Sequence, residues 1–199
     1  MKSLKTQILL IAALVITAGG ALYYGLSGSE TQAEPQKVVL IKYSDYQCPA
    51  CKYYHEINER LKEEFGDMVE FQYRYFPLDG FEFSRDAAFS VEAANRQGKF
   101  QEMHNRVFET QEIWSKGDAM TYFRSYAEEF GLDMEQFEAD VTDPELAEEV
   151  ARQRNEGRRR LVNATPTYYI NGQKLQQNPQ GFEQFRSIVE LYMYRSSGK

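Results

Sequence analysis

The sequence predicts an α/β protein with a helical insertion, preceded by one N-terminal transmembrane helix. Three observations carry that expectation. The β-branched run Val38-Val39-Leu40-Ile41 precedes a helical pattern and then an alternating strand pattern, the order of a parallel crossover. From Ser84 to about Arg160 the apolar residues recur at helical spacing almost throughout, a block too long for a loop. A strand, an Asn-Gly turn, a short return strand and an amphipathic helix close the chain.

Residues 1–7 carry two lysines and no acid, and Ile8 to Leu26 follows as nineteen residues without a charge. That is about the length that spans a bilayer and longer than a usual signal-peptide core. The lysines hold the N-terminus in the cytoplasm, so 8–26 reads as an uncleaved anchor with the rest of the chain outside. The alternative is a cleaved signal, with Ala18-Gly19-Gly20-Ala21 as its small-residue site. Either arrangement places the remainder where disulfides persist. Residues 27–37 are polar and small, a short tether. About 160 of the 199 residues follow, enough for one domain with a real core. The net charge of −7 gives nucleic-acid binding no electrostatic support.

The run at Val38–Ile41 has the pattern of a central strand buried on both faces. A helix follows, with Ala50, Tyr54, Ile57, Leu61 and Phe65 on one stripe and Gly66 as its stop. Val69, Phe71, Tyr73 and Tyr75 alternate with polar residues in a second strand closed by Pro77. In the helical block, Ala87, Ala88, Val91 and Ala94 mark one stripe and Phe100, Met103 and Val107 the next. Tyr122, Phe123, Tyr126 and Phe130 mark a third, and Asp143-Pro144 opens another helix as N-cap and first-turn proline. Late in that helix Arg152, Arg154, Arg158, Arg159 and Arg160 are expected to form a solvated face answering Glu145, Glu148, Glu149 and Glu156. Trp114 is expected in the core. Thr167–Ile170 is the next strand, Asn171-Gly172 its hairpin turn, and Gln173 to Gln176 an edge strand. Phe182, Phe185, Ile188, Val189 and Tyr192 make the closing helix, with Ser196–Lys199 frayed.

The chemistry concentrates in Cys48-Pro49-Ala50-Cys51, which holds the only two cysteines. Two thiols so spaced at a helix start can close a disulfide and open it again. The first is acidified by first-turn N–H groups and the helix dipole, and Pro49 suits a turn where its missing N–H has no helical partner. Three other readings stand beside the redox dithiol. Half a zinc site lacks ligands, since only His55 and His104 remain and tetrahedral zinc takes four. An inert disulfide closing so short a loop restrains the unfolded chain little. The third reading is a pair of buried free thiols.

Far downstream, Ala164-Thr165-Pro166-Thr167-Tyr168-Tyr169-Ile170-Asn171-Gly172 joins the CxxC in a pattern that resembles the thioredoxin superfamily. Specifically it resembles the DsbA-like thiol–disulfide oxidoreductases of the bacterial cell envelope, over roughly residues 37 to 195. Phe76-Pro77-Leu78 and Gln97-Gly98-Lys99-Phe100 share in the likeness. The resemblance implies a thioredoxin-like core at 38–80 and 161–196 with residues 81–160 inserted. It implies Cys48 as exposed nucleophile, Cys51 as buried resolving thiol, and Pro166 as a cis proline facing them. Thr165, Pro49 and Ala50 would meet the client, with Thr165 pairing strand-fashion with an extended peptide. The redox-active disulfide would be the only redox group, with no further cofactor or metal. Partners would be reduced exported proteins and a membrane redox partner that reoxidises the dithiol. Disulfide donation leads among the functions; reductase, isomerase and redox-inactive chaperone are the alternatives.

Two positions depart from the family. Where it usually carries a buried acid, six residues before the first cysteine, this chain has Lys42; Asp45 does not occupy that position. The glycine before Thr-Pro is Ala164. A cationic Lys42 near the sulfurs would favour thiolate and make the disulfide a stronger oxidant. The alternative is that its stem carries the charge out to the strand edge.

Overall fold

The structure is a computed structural model in which residues 34–195 are described. The expected anchor at 8–26, its flank 1–7, most of the tether and the frayed end lie outside those residues. Among the described residues no helix is long and apolar enough to cross a membrane.

The elements run β1 (Val38–Ser44), α1 (Pro49–Phe65), β2 (Val69–Tyr75), six helices, β3 (Thr167–Ile170), β4 (Gln173–Lys174) and α8 (Phe182–Tyr194). The six are α2 (Ser84–Arg96), α3 (Phe100–Glu109), α4 (Gln111–Trp114), α5 (Ala119–Glu129), α6 (Met134–Val141) and α7 (Pro144–Arg159). The sheet order is β2-β1-β3-β4, with β1 parallel to β2 and antiparallel to β3. The β-branched run is therefore central, and the β1–α1–β2 crossover is parallel as its pattern predicts.

Alternation along β1 decides what meets the site. Val38 and Leu40 point into the core formed with Ile57 and Leu61 of α1, Tyr168 and Ile170 of β3, and Phe185 and Val189 of α8. Lys42 continues that parity, so its side chain is directed into the interior and not toward an edge. On the opposite face Tyr43 packs with Phe76, Val162 and Tyr169. There α7 comes close because Gly157 has no side chain: a Cβ would stand 2.8 Å from the Phe76 ring and 2.9 Å from that of Tyr43.

The hairpin takes positive φ at both Asn171 and Gly172, as an Asn-Gly turn demands. Asn171 also accepts from the Val39 N–H at 2.8 Å, tying the turn to the central strand. The return strand is shorter than expected. It stops at Lys174, and the chain crosses to place the Asn178 amide on the Pro166 carbonyl at 2.7 Å.

The third core belongs to the helical block, with Trp114 and Phe123 at its centre. The Trp114 indole N–H donates to the Val107 carbonyl at 2.7 Å, so the residue is core, as expected. Asp143 caps α7 through the Glu145 N–H. The arginines of α7 do meet acids, though not only their own helix's. Arg152 pairs with Glu149 and Arg160 with Glu156, while Arg154 and Arg158 reach Asp79.

Candidate active site

Cys48 is the N-cap residue of α1, with extended backbone, and Pro49 takes the first helical position. Pro49 and Ala50 are exposed. Cys48 is only 7% exposed and Cys51, one turn into the helix, is 0% exposed; both are free thiols. The Cys48 thiol donates to the Thr165 carbonyl at 3.4 Å, and the Thr165–Pro166 peptide bond is cis. The CxxC and the Thr-Pro loop, separated by more than a hundred residues, are thus brought edge to edge. Cys48, Cys51, Pro49, Ala50, Thr165 and Pro166 form one constellation.

The two sulfurs differ sharply in acidity. Cys48 is lowered to about 6. The Cys51 thiol hydrogen-bonding to it contributes most, against burial, with Thr165 and the N–H groups of Cys51 and Ala50 adding to the effect. The Thr165 hydroxyl itself is buried without a hydrogen-bond partner. Burial pushes Cys51 well up from its ordinary value. Cys48, nearly buried rather than exposed as the resemblance implies, is the more acidic sulfur, and Cys51 beneath it is the one that holds its proton.

Lys42 lies under the pair. Its side chain is wholly buried, Nζ donates to the Cys51 carbonyl at 3.2 Å and stands 4.9 Å from the centre of the Phe108 ring. The expectation that its stem carries the charge to solvent fails, because strand parity turns it inward. Burial lowers its amine to about 8, with the Cys51 charge acting in the opposite direction.

Three features of the site escape sequence reading. Asp45, also buried, gathers the Ser84 hydroxyl at 2.7 Å and the N–H groups of Gln47 and Leu78 at 2.7 Å, while its own N–H points at the Cys51 sulfur at 3.5 Å. Gln111 of α4 donates one amide to the carbonyls of both Tyr46 and Cys48, at 2.6 and 3.0 Å, holding the loop from the side of the helical block. His55 and His104 meet in space, ring centres 5.2 Å apart, with Tyr46 hydrogen-bonded to His104 Nδ1 at 2.7 Å. Burial keeps both imidazoles neutral, His55 down to about 3 and His104 well below its ordinary value. Only the pair of buried carbonyls needing a donor hints at Gln111, and that need is invisible without the fold. Among the described residues no group of His, Cys, Asp and Glu is placed to hold a metal. Beside Pro49 opens a cavity of about 560 Å³ lined by Gln47, Lys52, Tyr53, Phe81 and Gln111 among others.

Residues 33–191 match a family model described as Thioredoxin. A thioredoxin-like oxidoreductase from Silicibacter pomeroyi superposes with a TM-score of 0.65 at 26% identity, over 78% of this chain and 86% of that one. BdbD from Bacillus subtilis shares the fold with a TM-score of 0.70 at 20% identity, over 83% and 95% of the two chains. The oxidoreductase DsbA from Xylella fastidiosa does so at 0.65 and 18% identity, over 82% and 90%. Among curated proteins, a Na⁺/H⁺ antiporter NhaA 1 from Mycobacterium sp. (strain KMS) is 35% identical over 141 residues, 69% of this chain and 22% of that protein. The chain thus spans about a fifth of the length of the curated relatives it matches.

Proposed function

The chain belongs to the thioredoxin family, with the DsbA-like build of a protein thiol–disulfide oxidoreductase, and on that premise we propose that it donates disulfides to reduced exported proteins through Cys48 and Cys51. In the oxidised protein a client thiolate attacks the Cys48 sulfur, the Cys48–Cys51 bond breaks, and Cys51 leaves and takes a proton. A second client thiolate then attacks its own sulfur in the mixed disulfide, releasing Cys48 as thiolate. The client loses two electrons and gains a disulfide; the protein is left as a dithiol. No cofactor beyond this pair enters.

The observation that carries the reading is the acidity contrast at the start of α1. A sulfur lowered to about 6 is a good leaving group, and that favours donation over retention. Thr165 and Pro166, beside Cys48, would take an extended client alongside the sulfur, and the exposed Pro49 and Ala50 would meet it. Residues 8–26 would anchor the protein in the cytoplasmic membrane of a bacterial envelope, catalytic part outward, near a membrane partner that takes up the two electrons.

The test is oxidised full-length protein mixed with a reduced, unfolded client. Stoichiometric client disulfides, abolished in Cys48→Ser, are expected. A protein that prevents aggregation yet forms no disulfide is a chaperone, and the reading fails. A reduction potential near that of a strong oxidant, about −120 mV, supports donation; one near about −270 mV assigns the protein to reduction.

A further inference from the structure

Lys42 stands apart from every other cation near the site. It is wholly buried, and among the described residues no carboxylate lies within ion-pair distance of its Nζ. Its one hydrogen bond goes to the carbonyl of Cys51, whose own sulfur is sealed from solvent. A buried ammonium without a counter-ion is costly, and the sequence offers cheaper residues for a strand interior. The negative charge that does arise nearby is a thiolate of the dithiol, and it exists only after the disulfide has been opened.

We propose that Lys42 is the counter-charge of the reduced pair, holding a proton when the disulfide opens and releasing it when the disulfide closes. This rests on the thiol–disulfide reading and supplies its proton accounting. When a client dithiol reduces the protein, two electrons and two protons leave the client. The Cys48–Cys51 bond breaks and a client disulfide forms. One proton ends on Cys51, the other on Lys42 Nζ, and Cys48 remains a thiolate. The buried site keeps zero net charge in both states: disulfide with amine, or thiolate, thiol and ammonium. Lys42 acts through the sulfurs and is a positioning residue.

The surroundings agree. On α1 the groups facing Lys42 are the two cysteines, Glu59, Lys62 and His55; α3 contributes His104, and Tyr73 of β2 and Tyr168 of β3 flank it in register. The cysteine charges and Glu59 favour the ammonium, while burial and Lys62 oppose it. Both histidines are held neutral and lend no charge of either sign. With Cys51 holding its own proton, the cysteine charge that favours the ammonium is the Cys48 thiolate, and it vanishes when the disulfide forms.

By reciprocity, whatever Lys42 gives the thiolate the thiolate returns to Lys42. In the full-length wild-type protein with ¹⁵N-labelled lysine, the Lys42 amine should titrate at higher pH in the dithiol than in the disulfide form; equal values overturn the proposal, and this needs no variant to fold. Lys42→Met should shift the equilibrium with glutathione at least about tenfold toward the disulfide, about 30 mV. It should also raise the pH at which Cys48 ionises, and Lys42→Glu should do both more strongly. Equilibrium constants within twofold of wild type, with an unmoved Cys48 titration, overturn it. A Cys48→Ser protein that still exchanges disulfides defeats the underlying reading instead, and leaves the Lys42 titration to be judged alone.

Discussion

Asp45 and Lys42 sit three residues apart at the C-terminal end of β1, both buried and both beside Cys51, yet the fold treats them in opposite ways. Around the carboxylate a hydroxyl and two backbone N–H groups are gathered from α2 and the loops on either side. Burial still pushes Asp45 above the usual carboxylate range, against those bonds. Around the ammonium there is one carbonyl and an aromatic ring. The first is a structural tie, a charge whose solvation has been replaced group by group. The second is left short of partners where a charge appears and disappears with the redox state. Satisfaction by hydrogen bonds separates a charge kept for architecture from one kept for chemistry.

Breaking the tie should have the largest effect. Asp45→Ala strands the Ser84 hydroxyl and two N–H groups, and should cost roughly 4 kcal/mol in denaturant unfolding. Removing the other charge should do the reverse. In the reduced protein Lys42 is charged in both the folded and the unfolded chain below about 8, and the unfolded chain keeps its proton up to 10.5. The cost of burying it is therefore fully present below about 8 and fades as pH rises toward 10.5. Lys42→Met should stabilise the reduced protein at pH 7 by on the order of 3 kcal/mol, less at higher pH, read from urea midpoints.

An effect smaller per pH unit sharpens the contrast from the neutral side. His55 refuses a proton until about 3, whereas the unfolded chain accepts one near 6.5. Stability should fall as pH drops from about 6.5 toward 3, by up to about 1.4 kcal/mol per pH unit, and His55→Phe should flatten that slope. The smallest effect belongs to the surface. Arg152→Ala removes an exposed pair with Glu149 and should leave stability within about 0.5 kcal/mol, confirming that position and not charge count sets the energetics.

These contrasts also mark where sequence reading stops. The run at Val38–Ile41, the CxxC with Pro49 and the Asn171-Gly172 turn announce themselves, because each is a local rule about backbone and period. The meeting of Cys48 with Thr165 and Pro166 is legible only through the paired motifs. The burial of Lys42 is not legible locally, since nothing in its own stretch says how far α1 covers the strand end. Helix α6 shows no apolar stripe: only Phe137 and Asp140 of its eight residues are buried. Gln111 carries no local signal, because its partners are two carbonyls more than sixty residues away.

That glutamine couples two parts of the protein mechanically. One amide, anchored where α3 gives way to α4, grips the peptide on which the nucleophilic sulfur hangs. A macromolecule that tilts the helical lobe would drag that peptide with it, and the sulfur's angle of presentation would follow. Docking on the lobe then becomes a steering wheel for the reaction, turned at a distance from the atoms that react.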